Sequence, residues 1–224
     1  MRVRVFILAM LLLIAPAVSA DVLDRVVASV NGQVILQTDW DEQVRYEAFM
    51  AKRPLVSITQ VDRQAALDRL IDEELVDEQV RPADFTPPTS AEIDKQLEQM
   101  KSQFLKEQPG ESWNAALANY RLTEDQLREG IGVQLEQMKI VDGRLRPTVQ
   151  IDESAVAEYY NRKLLPELHR SAEQPPTLQE AAPQIREILI QQKINEALPS
   201  WLEGLRSQAQ IRLLTTDSLP EPTR

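Results

Sequence analysis

The polar and apolar positions of this chain alternate at first and then fall into helical stripes. A largely β-branched run, Val26 to Val30, leads into Asn31-Gly32, and a second run, Gln33 to Gln37, follows. Asn-Gly between two such runs predicts a hairpin, because both central residues of a type I′ turn need positive φ. The second strand is expected to stop at Thr38. Its hydroxyl would cap a helix from Asp39 to about Lys52, with Asp39, Asp41 and Glu42 in the first turn, where the helix dipole favours negative charge. A two-stranded hairpin is marginal alone, so a distant segment should cover or extend it. The alternating stretch Ala209 to Leu214 (AQIRLL) is expected to supply a third strand.

Between these ends the spacing is helical. Arg53-Pro54 interrupts it, and it resumes near Thr59 to run to about Arg81, with Leu67, Ile71 and Leu75 on one stripe and Leu70 beside it. The opposite face carries Asp68, Asp72, Glu73, Glu74, Asp77 and Glu78 and reads as a solvated helix face rather than a metal or acid/base site. Pro82, Pro87 and Pro88 mark a loop. Thr89 with Glu92, Thr123 with Gln126 and Thr177 with Glu180 have the spacing of capping boxes, in which the Thr hydroxyl accepts from the N3 amide and the N3 side chain reaches back. The first opens a helix with Ile93, Leu97, Met100 and Phe104, closed by Pro109-Gly110. Ser112 would cap a short helix carrying Trp113, Leu117 and Tyr120. The second box opens a helix with Leu127, Ile131, Leu135 and Met138, ended by Pro147. Gly130 and Gly132 weaken it by about 1 kcal/mol each relative to alanine, which points to close packing or bending there. Val149 to Ile151 reads as extended, and Asp152 would cap a helix holding Val156, Tyr159 and Tyr160. Periodicity fades from Leu165 to Pro176. The third box starts the last helical region, with Ile185, Ile188, Leu189, Ile194, Leu198, Trp201, Leu202 and Leu205, where Pro199 predicts a kink or restart. The tail after Leu214 reads as disordered.

Composition narrows the chemistry. The chain has 224 residues, no cysteine, one histidine (His169) and a formal net charge of -10. Disulfides, thiolate catalysis and Cys-based metal sites are excluded, and a zinc site or a Ser-His-Asp triad has almost nothing to draw on. The acidic balance argues against nucleic acid and anionic lipid as partners. Arg2 and Arg4, the apolar run Val5 to Ala15, and small residues at Val18-Ser19-Ala20 read as a cleaved secretory signal, since the apolar core falls short of the ~20 residues of a spanning helix. Its removal takes the basic count from 25 to 23 and the charge to -12. With no cysteine after the cleavage site for a lipid anchor, the mature protein is expected to be exported and soluble, with no membrane insertion.

The stretch VVASVNGQVILQTDWDEQV resembles the opening of the SurA and parvulin-type periplasmic chaperones, where a hairpin leads straight into the first helix. The order of elements extends the likeness over nearly the whole mature chain: LDRLIDEELV, TSAEIDKQLEQM, LTEDQLREGI, IDESAVAEYY and the closing IREILIQQKINEALPSWLEGLR with its strand. The resemblance implies a mainly α fold, a helical chaperone core with a small antiparallel β-sheet made from the N-terminal hairpin and a C-terminal strand. The organisation it implies is a signal peptide at 1–20, an N-terminal helical domain at 21–160, a linker at 161–176, a C-terminal helix and strand at 177–214 returning to the N-terminal body, and a tail at 215–224. Relatives carry parvulin prolyl-isomerase domains after the segment equivalent to IDESAVAEYY. Here sixteen residues separate Tyr160 from Thr177, whereas a domain needs at least ~50, and the histidine pair of parvulin sites is missing. A non-enzymatic chaperone core without cofactors is the expectation.

Candidate binding residues are apolar. Tyr46, Phe49 and Met50 lie off the Trp40–Val44 face of the first helix, so one face would pack on the body while the other lines a groove. Phe104 and Trp113 join them as peptide-binding candidates, since adaptable methionine beside aromatic rings suits promiscuous apolar contacts. By resemblance the partners are unfolded or nascent outer-membrane β-barrel precursors in the periplasm, bound without ATP in a cleft between helices. The alternative is a non-catalytic adaptor for one specific partner, or a homodimer formed by swapping the C-terminal helix, which long apolar helices on a loose linker permit. An isomerase is the weakest of the three.

Overall fold

The computed structural model describes residues 24–80, 85–168 and 176–214. The expected signal segment, the centre of the linker with His169 and the tail lie outside these residues. The fold is mainly α with a small antiparallel sheet. Strands β1 (Val26–Val30) and β2 (Gln33–Leu36) form the hairpin, and β3 (Ile211–Leu213) adds to the free edge of β1, giving the order β2-β1-β3. Asn31 and Gly32 sit at φ 49° and 100°, both positive, as the turn requires. In the register Val30 faces Gln33 on one side and Ile211 on the other, and Ala28 faces Ile35 and Leu213.

The turn is also a knot between the chain's two ends. The Asn31 amide donates to the Gln210 carbonyl (3.1 Å), and the Gln210 amide donates to Asn31 Oδ1 (2.8 Å). The Asn31 side-chain amide then donates to both Glu78 carboxylate oxygens (3.0 and 2.7 Å), tying the sheet to the end of the second helix.

Helix α1 (Gln37–Met50) follows β2 with no loop. It starts two residues before the expected Asp39, and Thr38 is not its cap. Leu36 holds the cap position and its amide donates to the Asp39 carboxylate (3.0 Å), while the Thr38 hydroxyl donates to Asp24. Helix α2 (Gln60–Asp77) begins at a capping box that the sequence pattern did not signal, because Asp62 does the work of the usual Glu: its amide donates to Thr59 Oγ1 (3.3 Å) and its carboxylate accepts from the Thr59 amide (2.8 Å). Helices α3 (Ser90–Glu107), α5 (Glu124–Leu145) and α8 (Leu178–Gln208) open on the three boxes named above. Helix α4 (Trp113–Asn119) and helix α6 (Glu153–Tyr159) start after Ser112 and Asp152, but neither side chain makes a capping hydrogen bond.

Three further expectations change. After α6 a π-helical turn (Tyr160–Leu164) and α7 (Leu165–Leu168) continue into the stretch where periodicity fades. The widened turn ends two residues before Pro166, whose ring would otherwise meet the Arg162 carbonyl. Of the kink or restart expected at Pro199, the restart does not occur: helix α8 runs through it, with Ile185 and Ile194 buried along its length, and tertiary packing outweighs the one lost backbone bond. Met138 is off the apolar stripe and 60 % exposed, because beyond Leu135 the buried positions of α5 are Ile140 and Leu145.

Apolar burial falls into separate clusters. The first packs the sheet (Val27, Ala28, Val30, Ile35) on Trp40 and Val44 of α1 and on Ala66, Leu67, Ile71 and Leu75 of α2. The second joins Phe49 of α1 to Leu97, Trp113, Leu117, Leu122, Leu127 and Ile131. A third, smaller one sets Val156 of α6 against Ala181 and Ile185 of α8. Helix α8 also packs on α2 and α5, so the C-terminal arm lies against the body that the hairpin begins.

Replacing Asn31 with glycine keeps the positive φ and removes only the side-chain bonds to Gln210 and Glu78. Asn31→Gly is expected to lower stability by about 1–2 kcal/mol in a two-state melt; an unchanged midpoint would show that these bonds are dispensable.

Candidate aromatic cavity

Helix α1 places its two faces in different surroundings. Trp40 and Val44 face the sheet, where the Trp40 indole donates to the Arg63 carbonyl (2.7 Å). Phe49 turns the other way into the second cluster, and Met50 beside it is 41 % exposed. The residues that follow α1, Leu55–Ser57, form a 3-10 turn because Pro54 fixes its own φ and cannot continue a helix. That turn leaves Val56 98 % exposed.

Between this turn, the end of α1, helix α3 and helix α4 lies a cavity of about 730 Å³. Its apolar lining includes Phe49, Met50, Val56, Met100, Phe104 and Trp113. The rings form an edge-to-face chain: Phe104 to Trp113 at 5.5 Å, Trp113 to Phe49 at 5.7 Å, and Phe49 to Tyr120 at 5.4 Å between centroids. The Trp113 indole donates to Glu124 (2.7 Å), which fixes the ring while Lys101 pairs with the same carboxylate (3.2 Å). At the rim, Lys52 pairs with Glu107 of α3; both are exposed, so this bond adds little stability. The cavity offers a floor of packed rings and an edge of exposed apolar side chains, the adaptable Met50 and Val56. Such a surface suits apolar segments of varied shape.

Four of the five sequence candidates line this cavity: Phe49, Met50, Phe104 and Trp113. Phe49 (8 %) and Trp113 (5 %) are nearly buried and serve as core as well as floor. Tyr46 is not among them. It lies on the opposite flank of α1 in a second cleft, its hydroxyl donating to Gln134 (3.0 Å). Its ring rests on Gly130, where a Cβ would come within 2.7 Å, and Gly132 similarly faces Ile93. The two glycines of α5 thus permit close approach. Leu55, Val56, Met100 and Tyr120 also line the cavity. The sequence signal for the turn was Arg53-Pro54, which marks a break without saying that it carries apolar side chains outward.

The acidic face of α2 is not simply solvated. Arg206 of α8 donates to the Asp72 carboxylate (2.6 Å) and the Asp68 carbonyl (2.7 Å), and Asp77 accepts from Gln137 (2.6 Å). Glu73 points into the second cleft, partly buried. Burial first, then the charges of Asp77, Glu47 and Glu74, push its carboxyl up to about 7, against a smaller opposing pull from Arg69. Burial, with Glu73 behind it, also pushes the Tyr46 phenol up to about 12. Among the described residues no group of three or more acidic or histidine side chains is arranged to hold a metal ion, and no helix is long and apolar enough to cross a membrane.

Because the folded state holds the Glu73 proton more tightly than the unfolded chain, unfolding releases that proton between about pH 4.5 and 7. Stability from this group is therefore full below about pH 4.5 and is lost as pH rises through 7. Glu73→Gln is expected to raise the melting temperature at pH 8 by about 2–4 °C, on the order of 1 kcal/mol for a partly exposed group, and to change it little at pH 4.5. Equal shifts at both pH values would contradict the assignment.

A family model for the SurA-like N-terminal domain matches residues 2–141. No curated protein matches the chain. The matched span takes in the hairpin, the aromatic cavity and nearly all of the helix that walls the second cleft, and the chain belongs to the SurA-like N-terminal domain family.

Proposed function

We propose that this protein is an ATP-independent periplasmic chaperone that holds unfolded outer-membrane β-barrel precursors through the aromatic cavity. The observation that carries the reading is that cavity: an edge-to-face floor of Phe49, Phe104 and Trp113, rimmed by exposed Met50 and Val56, in a chain of a chaperone-type family. Barrel strands alternate apolar and polar residues, so an unfolded precursor offers many short segments whose apolar side chains fit a surface of this kind. Burial of apolar area would drive binding without nucleotide, and holding rather than catalysis is the proposed activity. The periplasmic setting rests on the secretory pattern around Val5–Ala15 and Ala20.

Mature protein is expected to delay aggregation of a diluted, unfolded barrel protein at near-stoichiometric ratios, with little dependence on salt, followed by light scattering. Met50→Ser with Val56→Ser should weaken protection several-fold and leave the melting temperature within about 2 °C, since both side chains are already exposed. Phe49→Ser should instead unfold or strongly destabilise the protein, by about 3 kcal/mol or more, because its ring is nearly buried between Trp113 and Tyr120. Failure of the wild-type chain to protect any of several barrel clients would overturn the reading in favour of an adaptor for one folded partner.

A further inference from the structure

On the opposite flank of α1 a second cleft of about 800 Å³ lies between α1, α2, α5 and α8. Leu70, Val76, Val133, Leu198 and Leu202 give it apolar walls, and Val133 is 38 % exposed within it. Along α1 the lining runs from Asp39 to Ala51, about 18 Å of helix. An extended polypeptide covers that length with about five residues, whereas a compact small molecule would occupy only part of it.

The ionic groups of this cleft are one-sided. Six carboxylates line it against a single cation, Arg69, and Arg69 is already committed to Glu47 (2.6 Å). Asp72 is held by Arg206, Glu42 accepts from Gln126, and Asp39 accepts from the Leu36 amide. The carboxylates of Glu73 on the α2 wall and Glu129 on the α5 wall have no hydrogen-bond or ion-pair partner among the described residues, although the Glu73 backbone carbonyl accepts from Gln137 (3.4 Å). Above about pH 7, where Glu73 is ionised, an apolar trough whose free charges are all negative complements a segment that is itself apolar and positive.

We propose that this cleft binds an extended polypeptide segment in which a lysine or arginine lies between apolar side chains. The cation meets Glu73 or Glu129, and the flanking side chains rest on Val133, Leu198 and Leu202. Partial burial strengthens the attraction to Glu73, and an incoming cation also relieves its repulsion from Asp77, Glu47 and Glu74. The inference stands on this cleft alone and does not require the aromatic cavity to bind clients.

The test is fluorescence anisotropy on the full chain at pH 8, where Glu73 is ionised, with three labelled nonapeptides in which Leu and Val flank a central lysine, norleucine or glutamate. The lysine peptide is expected to bind about fivefold or more tightly than the norleucine peptide at low salt, with the glutamate peptide weakest, and the advantage should shrink at 0.5 M salt. The isosteric pair Glu73→Gln with Glu129→Gln should reduce the lysine advantage below about twofold, and Glu158→Gln, on α6 and outside the cleft, should leave it intact. Equal affinity for the lysine and norleucine peptides in the unaltered protein would overturn the proposal, and that comparison needs no variant to fold. So would a lysine preference that survives the double substitution, or displacement of the peptide by equimolar spermidine, which would show that a small polycation alone fills the site. Absence of the lysine preference in the unaltered protein, with client protection intact, would remove this proposal and leave the aromatic-cavity reading standing.

Discussion

The exchange of hydrogen bonds between Asn31 and Gln210 closes the chain on itself across 179 positions, and the rest of the structure depends on that closure. A hairpin of five and four residues is marginal at best on its own in water. Its central strand β1 therefore needs a partner on its second edge, and β3 is that partner. Bringing β3 there obliges α8 to lie across α2 and α5, which places Arg206 on Asp72 and sets Leu198 and Leu202 in the wall of the second cleft. Closure of the sheet and the wall of the cleft both come from the same C-terminal segment.

Helix α1 is the wall shared by everything else. It leaves the hairpin without a loop, so its orientation is set by the sheet, and its two faces serve two cores. Trp40 and Val44 anchor it to the sheet, whereas Phe49 carries its end into the aromatic cluster. Met50 lines both cavities. The two sites differ in kind. One is lined with rings and has an ion pair only at its rim; the other is apolar but carries unpaired negative charge. On the proposed readings, an unfolded chain offers apolar segments to the first and apolar segments punctuated by a cation to the second, so one client spans both.

Much of the fold was legible because it rests on local chemistry. Asn31-Gly32 admits few alternatives to a tight turn, and the reciprocal Thr89–Glu92, Thr123–Gln126 and Thr177–Glu180 pairs mark helix starts without reference to anything distant. The strand at Ile211–Leu213 followed from stability: the hairpin needed it. What was not legible depends on contacts made only after folding. Thr38 was free to cap a helix until Asp24 engaged its hydroxyl, and Pro199 could break a helix until burial along α8 held it. Glu73 looked like one more solvated carboxylate because nothing in the helical period of α2 shows that α5 and α8 cover that face. The candidate site divided in the same way. The helical spacing separated Tyr46, Phe49 and Met50 from the Trp40–Val44 face, but only the packing of α5 shows that Gly130 draws Tyr46 to one flank while Phe49 turns to the other.

The central claim is that unfolded clients occupy the aromatic cavity. Hydrogen–deuterium exchange of the mature protein, with and without a saturating unfolded barrel client, tests it most directly. Amides in the C-terminal half of α1, in the turn at Leu55–Ser57 and in α3 should exchange more slowly when the client is bound, while those of α6 stay unchanged. Client binding with unaltered exchange in those three segments, or with slowing confined to other elements, would contradict the account.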